Sequence, residues 1–336
     1  MRIAFCLFGY TDAKIAQREF YVHDLQALRA LGHDVVPVFS PLTLVTKRFD
    51  VAFVWWWNYL ALWGPAAKIR GLPIIVTGVF DDDEFHTWPR WKRLVKRTAA
   101  RLSDLNVFVS RNELERWPAT GWFRRDSARY SPLGIDTNLY VPGPPRPASG
   151  PFTIFNVAYQ SEGNLRRKLI FELVRAFARL HRERGDVRLA LAGEPGDATP
   201  QLEEAIAASG AGAAIEFLGE VTRQEKMSRM QSCSVYVQVS RHEGFGFAVA
   251  EAMACGAPVI VANVSETPVL VGDCGIYARE PSEEGILDAL RWCADHRAEL
   301  PAIGARGRER VVSTFSIDRR SRDFAGLLQE AMSRTR

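Results

Sequence analysis

The sequence predicts an α/β protein built from two doubly wound domains in series. Three observations carry this expectation. Short β-branched and apolar runs alternate with helix-period patterns from end to end, as in parallel sheets covered by helices. The alternation runs through once, stops at a proline-rich segment, and then runs through again. At 336 residues the chain holds about two domains of ordinary size.

In the first domain, residues 1–142, strands are expected at Arg2–Phe8, Asp34–Phe39, Val51–Trp55, Pro73–Thr77, Leu105–Val109 and near Arg129–Ser131. Between the first two, Arg18–Leu31 places Tyr21, Val22, Leu25 and Leu28 on one helix face, and Gly32 supplies the stop. Val141–Gly150 holds four prolines and two glycines, which neither a helix nor a central strand tolerates. It reads as the interdomain linker, residues 143–151. The second domain, 152–315, has strands expected at Phe152–Ala158, Val187–Ala192, Ile215–Leu218, Ser234–Val239, Pro258–Ala262 and Gly275–Tyr277. Its helices are expected at about Leu165–Arg184, Gln201–Ala208, Gln224–Met230 and Phe247–Ala254, and one more helix lies in 316–336. Two such domains in series are expected to leave a ligand cleft between them.

Composition narrows the classes. Hydrophobic residues are 47% and charged residues 24%, enough apolar material for real cores. The net charge of +4 is too small to argue for nucleic acid. The balance is uneven, however: residues 1–150 hold 20 basic and 14 acidic side chains, and the remainder 23 and 25. Cys6, Cys233, Cys255, Cys274 and Cys293 show no CxxC spacing, so neither zinc nor a disulfide framework is expected, and a reducing compartment is the default. Val51–Trp63, the longest apolar stretch, contains Asn58 and is too short to cross a bilayer. The first residues run straight into a strand pattern without a leader signature, so the expected location is cytoplasmic.

The chemistry concentrates in Ser240–Pro258. Glu243 lies in the loop beyond a strand, Gly244 and Gly246 let backbone approach a ligand, and Glu251 falls about a turn inside the following helix. Two carboxylates thus frame a helix N-terminus whose free N–H groups and dipole suit a phosphate or a sugar oxygen. A nucleotide sugar has hydroxyls to bind and a diphosphate to neutralise. Gly244 and Gly246 fail as a dinucleotide fingerprint, because Val249 stands where a third small residue is needed.

Glu243-x7-Glu251 within EGFGFAVAEAMACGAPVI resembles the signature of the retaining, nucleotide-sugar-dependent glycosyltransferases of family four, which have the GT-B fold. Leu133–Pro142, Leu189–Gly193 and Ala262–Gly275 are similar to further landmarks of that family, in the same order. The resemblance implies two Rossmann-like domains, with the terminal helix, 316–336, returning to the first. It implies that Glu243 bonds donor-sugar hydroxyls, that Glu251 bonds the nucleotide ribose, and that the backbone of Gly244, Phe245, Gly246 and Phe247 meets the sugar and diphosphate. It also implies a basic pair after the second domain's first strand. Lys168 is the best match and Arg167 the second, with Arg166 beside them; which arginine clamps the phosphates stays open, since the family's usual Gly-Arg at that strand end is absent. No cofactor or metal is implied beyond the donor itself.

The first domain departs from the family pattern. Gly9 stands in its first loop, and Asp81, Asp82 or His86 are the acceptor-side polar candidates. Asp81–Asp83 also contains a D-x-D that could hold a metal diphosphate, a reading disfavoured by the donor motif elsewhere. Trp55–Trp57 either line the acceptor side or fill the core. Trp88–Arg101 carries six basic and no acidic side chains with tryptophans at its start, so it is either a solvated helix or a peripheral contact with an anionic membrane. The expected function is glycosyl transfer to an unidentified acceptor. A nucleotide-sugar epimerase of the same fold and a non-catalytic sugar-binding subunit are the rivals.

Overall fold

The computed structural model describes residues 1–16, 18–80, 88–124, 126–144 and 150–334. They form two compact units, Met1–Asp136 with Phe315–Arg336, and Thr137–Thr314.

The first unit's strands are β1 (Arg2–Cys6), β2 (Asp34–Val38), β3 (Val51–Trp55), β4 (Ile74–Gly78), β5 (Leu105–Phe108) and β6 (Ala128–Tyr130). Its helices before the crossing are α1 (Asp12–Ala16), α2 (Glu19–Ala30), α3 (Pro41–Thr46), α4 (Leu60–Ile69), α5 (Arg90–Ala100) and α6 (Arg111–Arg116). The sheet is parallel, in the order β2-β1-β3-β4-β5-β6. β3 and β4 are buried along their whole length, which is why β3 reads as an unbroken apolar run and β4 begins as one, Ile74–Val76. The tryptophan run divides. Trp55 and Trp57 are core residues, with Trp57 Nε1 donating to Asn106 Oδ1 at 2.8 Å, while Trp56 turns outward at φ +73° and donates to the Tyr21 hydroxyl at 2.6 Å.

The second unit's strands are β7 (Phe152–Val157), β8 (Val187–Ala192), β9 (Ile215–Gly219), β10 (Val235–Gln238), β11 (Val259–Ala262) and β12 (Ile276–Ala278). All pair in parallel, in the order β12-β11-β10-β7-β8-β9, which is the dinucleotide-fold order read from the far edge. The helices are α7 (Glu162–Arg167), α8 (Ile170–Arg184), α9 (Thr199–Ala208), α10 (Arg223–Ser232), α11 (Phe247–Ala254), α12 (Thr267–Val271), α13 (Glu283–Asp295) and α14 (Leu300–Thr314). The core packs Ile154, Leu189, Val235, Val237 and Ile260 of the sheet against Leu173, Phe177 and Leu290. One expectation fails: Leu165–Arg184 is not a single helix. Leu169 sits buried at φ +51° and separates α7 from α8.

The last helix, α15 (Ile317–Arg334), belongs to the first unit and packs on α2. Arg320 Nε and Nη2 each lie 2.9 Å from an Asp24 oxygen, and Nη1 donates to the Ser131 carbonyl. This second neighbour widens the buried side of α2: His23, Asp24 and Ala27 join Tyr21, Leu25 and Leu28, whereas Val22 stays half-exposed.

The chain crosses between units at 136/137 and 314/315, earlier than the linker expected at 143–151. Residues 137–142 are fastened to the second unit through their carbonyls. Arg308 donates to Thr137 O at 2.8 Å and to Tyr140 O, and Gln231 Nε2 donates to Val141 O at 2.8 Å. Proline removes backbone donors but not acceptors, so a proline-rich stretch can still be bound this way. Residues 145–149 of that stretch lie outside the described residues. All five cysteines are free and buried. Among the described residues no helix is long and apolar enough to cross a membrane.

Candidate functional site

The order of the second sheet reverses between β7 and β10, and ligands of such sheets bind beyond the C-terminal strand ends at that point. β10 ends on Gln238, and the loop after it carries Ser240, His242 and Glu243 before Gly246, at φ +86°, caps α11. β7 leads through residues 158–161 into α7, whose last residue is Arg167.

Glu243 Oε2 accepts three hydrogen bonds, from Gln238 Nε2 at 3.0 Å and from Arg167 Nη1 and Ser240 Oγ at 3.2 Å. Among the described residues no hydrogen bond reaches its Oε1. Arg167 also donates to His242 O at 2.6 Å and Asn164 Oδ1 at 2.8 Å, so its guanidinium is held in place. Lys168 reaches a different partner. Its Nζ donates to Gln238 Oε1 at 3.3 Å, which also accepts from the Tyr236 hydroxyl at 3.0 Å. The break at Leu169 lets two consecutive basic residues serve one cluster, because α7 ends at Arg167 with Lys168 as its C-cap instead of carrying the helix onward. Withdrawal from water lowers the Lys168 pKa, an effect opposed by the negative charge of Glu243 and reinforced by Arg167. Burial likewise raises the Tyr236 phenol well above its usual range, so it acts here as a neutral donor.

Glu251 lies deeper. Both of its oxygens are 2.9 Å from Lys226 Nζ, with the two side chains 2% and 17% exposed. Lys226 stands in the first turns of α10, behind a capping box made by Thr222 and Glu225, and its ammonium is 5.5 Å from the Tyr140 ring centroid.

The expected site residues therefore divide. Glu243, Arg167 and Lys168 come together, and Gly244, Phe245, Gly246 and Phe247 form the turn and helix start beside them, with Phe245 buried. Arg166 does not join; it is exposed and pairs with Glu162 at 2.9 Å. Gly9 follows β1 at φ +77°, exposed. Asp81 and His86, with the rest of the D-x-D segment, lie outside the described residues. Sequence reasoning missed Gln238, Tyr236 and Lys226. A glutamine closing an otherwise apolar buried strand was a usable signal for the first. Nothing in the sequence around Lys226 points across to Glu251.

The profile of the family described as "Glycosyl transferases group 1" matches residues 156–310, which contain this whole cluster. Those residues belong to the group 1 glycosyl transferases. The chain is 30% identical over 208 residues to the MMP alpha-(1->4)-mannosyltransferase of Mycolicibacterium hassiacum, covering 60% of this chain and 48% of that protein. It is 31% identical over 261 residues to the D-inositol 3-phosphate glycosyltransferase of Streptomyces bingchenggensis, covering 70% and 52%. The chain thus spans about half the length of these two curated relatives. Among solved structures, Anabaena HepE in complex with UDP and glucose superposes with a TM-score of 0.78 at 16% identity, covering 98% of this chain and 99% of that one. Sucrose-phosphate synthase of Thermosynechococcus elongatus gives 0.77 at 17% identity, covering 99% of each. At such identities the likeness is one of fold. The fold is that of the GT-B glycosyltransferases, with two Rossmann-like units.

Proposed function

We propose that this protein transfers a sugar from a nucleoside-diphosphate sugar to a glycan, lipid-linked or small-molecule acceptor, with retention of configuration and without a metal, at the cytoplasmic face of a membrane. The observation that carries the reading is Glu243: three donors fix one carboxylate oxygen, and the other accepts nothing from the described residues. A carboxylate so held is preorganised to accept a sugar hydroxyl. The likeness to a structure holding UDP and glucose supports a nucleotide-sugar donor.

On this reading the bond from the anomeric carbon to the diphosphate oxygen breaks while the acceptor hydroxyl attacks from the same face. The hydroxyl proton passes to the departing phosphate oxygen. Negative charge grows on the diphosphate, and the groups that meet it are Lys168, Arg167 and the N–H groups at the start of α11. Fixed positive groups are most effective where charge develops, since they need no reorganisation during the step. Glu251 takes the ribose.

The test is a panel of nucleotide sugars followed by thermal shift and by turnover, on wild type and Glu243→Ala. Turnover should nearly vanish in the variant and survive EDTA in the wild type. Undiminished turnover by Glu243→Ala sinks the assignment. Loss of activity in EDTA, restored by Mg²⁺ or Mn²⁺, returns Asp81–Asp83 to consideration. Hydrolysis without transfer to any acceptor favours the epimerase.

A further inference from the structure

We infer that α5 is a docking surface for an anionic lipid bilayer. The inference gives the proposed transferase a place to work, but does not depend on its chemistry. A helix of a globular protein normally turns its apolar side inward. α5 does the reverse: it buries Lys96, Ala99 and Ala100, while Trp91, Leu94 and Val95 are 63%, 61% and 44% exposed. At 3.6 residues per turn, Leu94, Thr98, Trp91 and Val95 occupy an outward strip about 100° wide. Arg90, Arg97 and Arg101 lie along one edge of the strip, and Lys92 stands beyond Val95 on the other side, toward the buried face.

The helix is locked in this orientation. The Lys96 ammonium donates to the Phe80 carbonyl and lies 4.5 and 5.1 Å from the ring centroids of Phe80 and Trp88, so rolling the apolar strip inward would expel a satisfied cation. Lys96 is therefore an anchor, not one of the surface charges. Beside the strip is a cavity of about 330 Å³ lined by Asn58, Trp88, Trp91, Lys92, Val95 and Lys96. Lys92 Nζ stands 5.7 Å from the Trp88 ring centroid and 5.8 Å from that of Trp91. Indoles next to an ammonium suit the headgroup level of a bilayer, where one end of a ring is apolar and the other wet. An apolar strip with arginines along one edge and Lys92 beyond the other, and no acidic residue from Trp88 to Arg101, complements a negative lipid surface.

The test is sedimentation with vesicles of phosphatidylcholine containing rising fractions of phosphatidylglycerol, at low and high salt. Wild type is compared with a basic variant, Arg90, Lys92 and Arg97 all changed to Ser, and with an apolar variant, Trp91→Ser, Leu94→Ser and Val95→Ser. Wild-type binding should rise with phosphatidylglycerol and fall with salt, and each variant should partition roughly tenfold more weakly or worse. The thermal shift given by UDP should be the same in all three proteins, which shows that the variants fold and keeps the two readings separate. If no nucleoside diphosphate, UDP included, shifts any of them, the donor reading fails while the vesicle result stands. Binding that ignores lipid charge overturns the inference. So does an apolar variant that binds like wild type, which would mean simple charge adsorption. A lipid-free dimer that the apolar variant abolishes would also overturn it, by making a second copy the occupant.

Discussion

Lys168 and Arg167 are adjacent in sequence, yet they join the cluster through different partners, Gln238 and Glu243. Burial lowers the Lys168 pKa, so its positive charge disappears at a lower pH than that of an exposed lysine, ordinarily about 10.4. If that charge meets the diphosphate, kcat/KM falls on the alkaline side before pH reaches the ordinary lysine range. Lys168→Arg should move that limb upward, because guanidinium does not titrate there; a pH–rate profile with an unmoved limb would remove Lys168 from the mechanism. Glu251 makes a second case. Glu251→Ala should weaken nucleoside-diphosphate binding by about 1.5–3 kcal/mol if the carboxylate holds the ribose. It also removes the ion pair with Lys226, and breaking a buried pair costs about 3–5 kcal/mol of stability. Denaturant titration beside calorimetric binding separates the two losses, and the Lys226→Met, Glu251→Leu double variant should lose less stability than the sum of the single ones. Glu243 and Glu251 were legible as a spaced pair in one short segment. Their partners were not, because Lys226 and Arg167 lie 25 and 76 residues away and meet them only through the sheet order.

The regular elements were the most legible part of the chain. Val187–Ala192 is read to the residue, and Ser234–Val239 to within one residue at each end, because both are short, mostly buried runs bounded by turn-forming residues. The helix break was hidden for the opposite reason. Leu165–Arg184 keeps an unbroken helical period, and a leucine in the left-handed region costs about 1–2 kcal/mol that no local preference supplies. Burial of the Leu169 side chain, worth about 1.5–3 kcal/mol, offsets that cost. At the other junction glycine is required. Gly246 caps α11 at φ +86°, and a methyl group there would stand 3.2 Å from Leu270 Cδ2 and 3.5 Å from Glu243 Cγ. Gly246→Ala should cost at least about 1 kcal/mol in thermal unfolding, from backbone strain alone. It should weaken the thermal shift given by UDP at equal protein concentration; a variant with wild-type stability and an undiminished shift would show that this turn is not constrained.

Connectivity at the scale of the whole molecule was misread, because proline content marked a linker that carbonyl bonds tie to the second unit, and the crossing leaves no compositional trace at Asp136. The final segment completes the first unit through one buried ion pair. Arg320→Met should cost about 3–5 kcal/mol, since the buried Asp24 would lose its ion-pair partner. In calorimetry only the first unit's transition should fall; an equal fall of both would show that the units unfold as one. The same pair has a consequence for how the protein is made. Asp24 leaves the ribosome 296 residues before Arg320, and at 5–20 residues per second its partner arrives about 15–60 s later. Thr137–Thr314 is contiguous and emerges complete before that helix does. The unit translated second is thus the first able to finish folding, and the unit translated first stays open to chaperones and proteases until α15 has emerged.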